Sequence, residues 1–264
     1  MNPNTTRFID TCQMVARLGG QQLMQRRDDF QAREKDPMDL VTDADLASQQ
    51  VIHDALHEAW PEHHFLGEEN LDLPMRLNNE SEYSWIVDPL DGTLNFVHGL
   101  QSYSVSVALR FRDRIVASAV YDPWLDEMYA AGEHVPATLN GQPIRVSGCK
   151  DLQQALAVIS LPTSVNRDSP ELADFLELLF AARSIRRLGS AALNMCYLAA
   201  GRLDLYWATT LNSWDVAGGL LILEQAGGYV RDVNGQPLNL DQPRLLAAAS
   251  QALSEQAQAV LHRR

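Results

Sequence analysis

Basic residues are scarce in this 264-residue chain: 21 lysines and arginines face 34 aspartates and glutamates, for a formal net charge of -13. Such a surface repels phosphate backbones and anionic membranes. The pairs Arg26-Arg27, Arg186-Arg187 and Arg263-Arg264 are too short to reverse that. Direct binding of nucleic acid is therefore not expected. Cysteine is scarce as well, and Cys12, Cys149 and Cys196 stand far apart with no C-x-x-C pair. That pattern excludes a disulfide framework and points to reduced thiols in a cytoplasmic protein. No apolar run approaches the ~18 residues of a membrane helix, and the first twenty residues hold no apolar leader core, so neither anchoring nor export is expected. What the chain does have is apolar content: 46% of its residues are hydrophobic, enough to bury the core of one large domain or two closely packed ones.

The periodicity divides the chain near residue 148. Phe8, Cys12, Val15 and Leu23 recur at helical spacing, and a second amphipathic helix runs from about Leu46 to Trp60, where Pro61 stops it. HFLGEEN and SWIVDPLDG read as short strands ending in acids. Tyr103, Val105, Val107, Leu109 and Phe111 then alternate as a half-buried strand, which turns at Arg112-Asp113 and continues as a meander to a hairpin at Asn140-Gly141 leading into PIRVS. Residues 1–148 thus read as an N-terminal lobe of two helices and an antiparallel meander. Residues 149–264 alternate strand and helix and read as a second α/β lobe, with no flexible linker between the two.

In WIVDPLDGTLNF, residues 85–96, the apolar run has no room for charge, so the chain is expected to leave the core at Asp88, with Pro89 lacking the donor that further pairing would need. Asp91-Gly92-Thr93 reads as a turn into a short helix whose free N–H groups face the space between the acids. Turn chemistry alone also accounts for Asp-Pro and Asp-Gly. Glu68-Glu69 repeat the placement of acids at a strand end, and Asp215 stands at the start of the helix VAGGLLILEQA; a solvated pair and a helix cap are the ordinary readings of these. If the three segments converge, carboxylates about 5 Å apart repel by roughly 3 kcal/mol per pair at an effective dielectric near 20, which calls for a cation. An all-oxygen cluster selects Mg²⁺ or Mn²⁺ over zinc.

GEEN, DPLDGTLNF and WDVAGGLLILEQAGG resemble, in order and spacing, the three signature segments of the inositol monophosphatase family, Mg²⁺-dependent and lithium-sensitive phosphatases. LVTDAD (residues 40–45) and GSAALNMCYLAAGRLD (residues 189–204) extend the resemblance over nearly the whole chain. It implies the layered α/β/α/β/α fold shared with fructose-1,6-bisphosphatase, a homodimer, and two to three Mg²⁺ per site, replaceable by Mn²⁺. It implies Glu68, Asp88 and the Leu90 carbonyl as ligands of the first metal, and Asp88, Asp91 and Asp215 as ligands of the second. Thr93, hydrogen-bonded to Asp45 with Glu68 close by, would orient the attacking water, and the Gly92 and Thr93 amides would hold phosphate. Gly189, Ser190, Ala191, Ala208 and Asp215 fall at the substrate side. The implied reaction is in-line hydrolysis of a small phosphomonoester, such as inositol 1-phosphate, without a phosphoenzyme. A nucleotide 3'-phosphate, histidinol phosphate or a sugar phosphate are the alternative substrates, and a scaffold bound to the transcription machinery is the alternative role, since some bacterial members of the family associate with it.

Other motifs carry less. Cys196 and Arg202 satisfy the C-x5-R spacing of cysteine phosphatases but fall on helical periodicity. Asp43-Ala44-Asp45 imitates an aspartyl-phosphatase motif yet lacks a preceding strand, and reads as a helix start with Asp45 facing the metal site. No histidine has zinc spacing. Lys35 falls in the hairpin that closes over the third metal in the family, where a solvated lysine is as good a reading. Ala208 stands where inositol-specific members carry a glutamate that bonds the inositol hydroxyls, so weak selectivity for inositol is expected. Trp207, if it faces the pocket, would favour a flatter leaving group.

Overall fold

The computed structural model describes residues 4–36, 39–69, 81–162 and 164–261. Five layers of alternating helix and sheet make up the fold. The first layer is α1 (Thr5–Arg26) against α2 (Asp43–Ala59), joined through the hairpin of β1 (Ala32–Asp36) and β2 (Asp39–Thr42). Helix α2 begins where Thr42 and Asp45 form a reciprocal capping box, and it ends at Trp60, before Pro61. Phe8, Cys12, Val15 and Leu23 of α1 and Ile52 and Leu56 of α2 are buried against one face of a seven-stranded sheet.

That sheet runs in the order β3 (His64–Gly67), β4 (Tyr83–Asp91), β5 (Ser104–Phe111), β6 (Arg114–Asp122), β7 (Glu127–Gly132), β8 (Val135–Leu139) and β9 (Gln142–Pro143). The meander from β4 onward is antiparallel, but β3 joins its edge in parallel with β4. The expected strand PIRVS shrinks to the two residues of β9.

The chain does not leave the core at Asp88, as the sequence suggests; β4 continues to Asp91. Asp88 pairs with Ser106 and Asp91 with Ser104, so three steps along β4 match two along β5. The extra residue is a β-bulge, and it accommodates Pro89, whose missing donor the irregular pairing leaves unneeded. The bulge also decides direction. Residues three apart in a regular strand point to opposite faces, whereas Asp88 and Asp91 oppose serines two apart and emerge on the same face.

That face meets the central helical layer, α5 (Ala191–Ala199) and α6 (Ser213–Gln225). Ile86, Ala108 and Val120 from the first sheet are buried there with Leu193, Met195, Val216 and Ile222. The fourth layer is a five-stranded sheet in the order β11 (Ser184–Arg186), β10 (Leu156–Ser160), β12 (Leu205–Ala208), β14 (Leu245–Ala248) and β13 (Tyr229–Asp232). Its inner face supplies Val158, Tyr206 and Ala208 to the central core. Its outer face packs Ile159, Trp207 and Leu246 beneath α4 (Pro170–Ala181) and α7 (Gln251–Leu261). A short helix, α3 (Thr93–Val97), follows β4 directly. Among the described residues no helix is long and apolar enough to cross a membrane.

Candidate active site

Four segments bring acids to the end of β4. Glu68 and Glu69 follow β3 and are held by backbone and by a side chain of α2: the Glu68 amide donates to the Val87 carbonyl (3.1 Å), while Gln49 accepts from the Glu69 amide (2.9 Å) and donates to its carbonyl (2.7 Å). Asp88 and Asp91 come from the bulge, itself tied to α2 by the Ser48 hydroxyl on the Pro89 carbonyl at 2.8 Å. Asp215 enters from the first turn of α6, and Asp45 from that of α2.

The acids are close enough to perturb one another. Burial, then the charges of Glu69 and Asp215, push the Glu68 carboxyl up to about 8. Burial, then Glu68, Asp91 and Asp215, hold Asp88 well above the usual carboxylate range. Each acid also has its own local donors. The Leu90 amide donates to Asp88 Oδ1 (3.0 Å), and the Asn212 amide to Asp215 Oδ2 (2.6 Å) within the capping box of α6. Asp91 takes the Ala191 amide on Oδ1 (3.0 Å); its Oδ2 takes the Ala192 amide (2.8 Å), the Ser104 hydroxyl (3.4 Å) and a very short bond from the Ser190 hydroxyl. With the carboxylates spread among these donors, no group of three or more His, Cys, Asp or Glu side chains among the described residues stands ready-made around a single ion position.

The donor set nevertheless fits a hard divalent cation. Its side-chain donors are carboxylate oxygens, Asp88 and Asp91 are buried with Glu68 and Asp215 half-buried beside them, and the upward shifts of Glu68 and Asp88 reflect a concentration of negative charge that a cation would offset. One protein cation approaches: Lys35 Nζ, from β1, lies 3.2 Å from Glu69 and 3.8 Å from Glu68 Oε1, and 3.4 Å from the Glu68 carbonyl. Sequence spacing gives no sign of this pairing, because Lys35 and the glutamates are more than thirty residues apart, and a solvated lysine was an equal expectation.

Beyond the acids, Thr93 Oγ1 lies 3.2 Å from Asp45 Oδ1 and 3.0 Å from the Leu90 carbonyl. Asp45 is fully buried, and burial, partly offset by the Thr42 hydrogen bonds, raises its carboxyl to about 6. Gly92 caps α3 in the left-handed region (φ 96°), and a Cβ there would come within 2.9 Å of the Ser102 carbonyl and 3.3 Å of that of Gly189. Gly189, also left-handed, leaves room for Asn95, which donates to the carbonyls of Ser102 and Leu188 at 2.7 Å each. The α3 start and the α5 start are thereby clamped together.

The expected substrate-side residues part company. Gly189, Ser190 and Ala191 lie beside the acids, the last two as donors to Asp91. Ala208 is fully buried on the inner face of β12, paired with Ser160 and Leu245. Trp207 does not face a pocket; strand alternation turns it into the outer core beside Ile159 and Leu246. Cys196 is buried on α5 with its thiol raised by burial, and Arg202 makes a two-pronged ion pair with Glu127 (2.6 and 2.7 Å), so the C-x5-R spacing forms no phosphate loop.

The comparisons with known proteins agree with this geometry. The family model described as "Inositol monophosphatase family" matches residues 5–264. The chain is 38% identical over 232 residues to the Nus factor SuhB of Pasteurella multocida, covering 88% of this chain and 86% of that one. It is 36% identical over 255 residues to inositol monophosphatase 3 of Solanum lycopersicum, covering 93% of each. Among solved structures, the extragenic suppressor protein suhB of Bartonella henselae superposes with a TM-score of 0.90 at 31% identity, covering 96% of this chain and 98% of that one. The inositol monophosphatase of Anabaena superposes at 0.86 with 32% identity, covering 98% and 96%. From the bulged strand outward, and over almost its full length, the chain belongs to the inositol monophosphatase family.

Proposed function

We propose that the protein is a Mg²⁺-dependent phosphatase that hydrolyses a small phosphomonoester by direct attack of water. The observation that carries this reading is the convergence of Glu68, Asp88, Asp91 and Asp215 from separate segments beside the Asp45–Thr93 pair, in a chain of this family. Glu68, Asp88, Asp91, Asp215 and the Leu90 carbonyl would hold two to three cations, with Mn²⁺ an acceptable substitute. The bound cations supply Lewis acidity, lowering the pKa of water and offsetting charge on the departing oxygen. The protein supplies the rest. The Gly92 and Thr93 amides at the start of α3 receive the phosphoryl oxygens. Thr93 donates its proton to Asp45 or the Leu90 carbonyl, which leaves an oxygen lone pair to accept a hydrogen bond from the attacking water and fix its direction. Glu68 stands on the same side to take up the proton released. No protein nucleophile is required.

With the buried Ala208 at the position where inositol-specific members carry a glutamate, this position supplies no carboxylate to grip the inositol hydroxyls, so inositol 1-phosphate is a substrate without strong preference over other phosphomonoesters, histidinol, sugar and nucleotide phosphates among them. Loss of a charged acceptor from such a site corresponds to about one to two powers of ten in kcat/KM. A panel of kcat/KM values decides this, and a clear preference for inositol 1-phosphate over the whole panel would overturn it. Inhibition by lithium, a cytoplasmic location and a homodimer belong to the same reading. In support of the last, α4 exposes Leu176, Leu179 and Phe180, the phenylalanine at 82%.

A second reading has its own support. Several relatives, those of Pasteurella multocida and Pseudomonas aeruginosa among them at 38% identity, are named Nus factors, which favours a regulatory role beside the transcription machinery. Asp88→Asn separates the two. It is nearly isosteric with the protonated acid, so the fold should survive while turnover at saturating Mg²⁺ falls by orders of magnitude. Unchanged turnover would sink the catalytic assignment, and rescue of a cellular phenotype by this inactive variant would favour the regulatory one.

A further inference from the structure

We infer that Ser190 is a positioning residue for Asp91: with the first turn of α5 it selects the carboxylate oxygen that Asp91 presents to a cation, and it does so in place of a contact with substrate. The inference rests on the functional reading above. Three observations carry it. Asp91 Oδ2 accepts from the Ser190 hydroxyl, the Ala192 amide and the Ser104 hydroxyl, which exceeds its two in-plane lone pairs, whereas Oδ1 accepts from the Ala191 amide alone. Oδ1 therefore keeps the lone pair that a ligand needs. Ser190 and Asp91 are both buried, so water cannot replace a lost hydroxyl without entering the core. Finally, Asp91 belongs to the first sheet and Ser190 to the helix above it, so the rotamer of this acid is set by a contact between layers ninety-nine residues apart in sequence.

The Ser190 hydroxyl also caps α5, accepting from the Leu193 amide at 3.2 Å while donating to Asp91. One oxygen thus connects the helix start and the acid, and removing it affects both. The two roles are separable: threonine keeps both, alanine removes both, and glycine removes the hydroxyl at little cost to the cap. Removing the partner that orients a ligand lowers metal affinity by about ten- to a hundred-fold.

The test is titration of the full chain with Mn²⁺ alone, following free Mn²⁺ by its paramagnetic resonance signal, in wild type, Ser190→Ala, Ser190→Gly and Ser190→Thr, with thermal melting of each. The expected result is that one class of Mn²⁺ sites weakens about ten- to a hundred-fold in both the alanine and glycine variants, that the others are unchanged, and that threonine restores wild-type binding. Should the alanine variant fail to fold, the glycine variant decides. Wild-type affinity in the glycine variant, or uniform weakening of all sites in step with the melting temperature, would overturn the positioning role. A wild type that binds no Mn²⁺ would instead overturn the functional reading, and this inference with it.

Discussion

His63 lies face to face with two aromatic rings, Trp60 at 5.1 Å and Tyr83 at 4.7 Å, with Trp85 at 5.8 Å, and its Nδ1 is buried without a hydrogen-bond partner. Burial lowers its pKa, and the nearby His64 adds to this, against the opposing pull of Glu62 at 3.7 Å. The sign of the consequence is definite. Between the lowered folded value and the ordinary value of 6.5 the unfolded chain binds more protons, so stability is complete above 6.5 and declines as pH falls below it. The raised carboxyls of Glu68 and Asp45 act in the opposite sense over the same range, so the His63 contribution is read as a difference: between pH 7.5 and 5.5 the melting temperature of the wild type should fall relative to that of His63→Phe, which keeps the stack. An identical slope in the variant would show that other groups cause it. Nothing in the pair His63-His64 signals this role, since Tyr83 and Trp85 reach the ring from β4, twenty residues along the chain. The acids were legible for the opposite reason: a carboxylate at the end of an apolar run violates a local rule, and such a violation is visible without knowledge of the fold.

The β1–β2 hairpin has little apolar surface of its own, and one of its attachments is the Lys35 ammonium between Glu68 and Glu69. A charge-assisted hydrogen bond of this kind is worth about 1.5 to 3 kcal/mol, so its loss should raise local opening about ten-fold or more. In Lys35→Ala, backbone hydrogen exchange over residues 32–42 should accelerate by that factor while the central strand β5 is unaffected. Unchanged exchange in the hairpin would show that backbone pairing alone holds it. Helix α2 was readable to within a few residues because one face of it is apolar at helical spacing. The bulge of β4 was not, since the same residues also satisfy the pattern of a strand that ends. What distinguishes the two is the pairing partner, Ser104, and no local pattern names it.

Across the whole molecule, the reading of two lobes joined without a linker meets a continuous interior. The central core draws on both sheets and on the helices between them, Ile86 and Val120 on one side and Val158 and Tyr206 on the other. Arg202, from the turn after α5, reaches Glu127 and Tyr129 on the first sheet. The central core is lost to either half if the other unfolds, so scanning calorimetry should give one transition. Two resolved transitions would show instead that the lobes unfold as independent units. The same unity exposes the site to a kind of damage that substitutions do not cause. Asp88 and Asp91 face the central helical layer together because one surplus residue stands between them, so their alliance is encoded by a count rather than by a side chain. Many replacements of Leu90 would preserve it. One residue inserted beside Val105 of β5 would let the two strands pair step for step and, with every acid still in the chain, turn one of the pair toward α1 and α2. The length of this short stretch is thus as much a part of the site as its carboxylates, and a comparison that scores only matching residues would miss its loss.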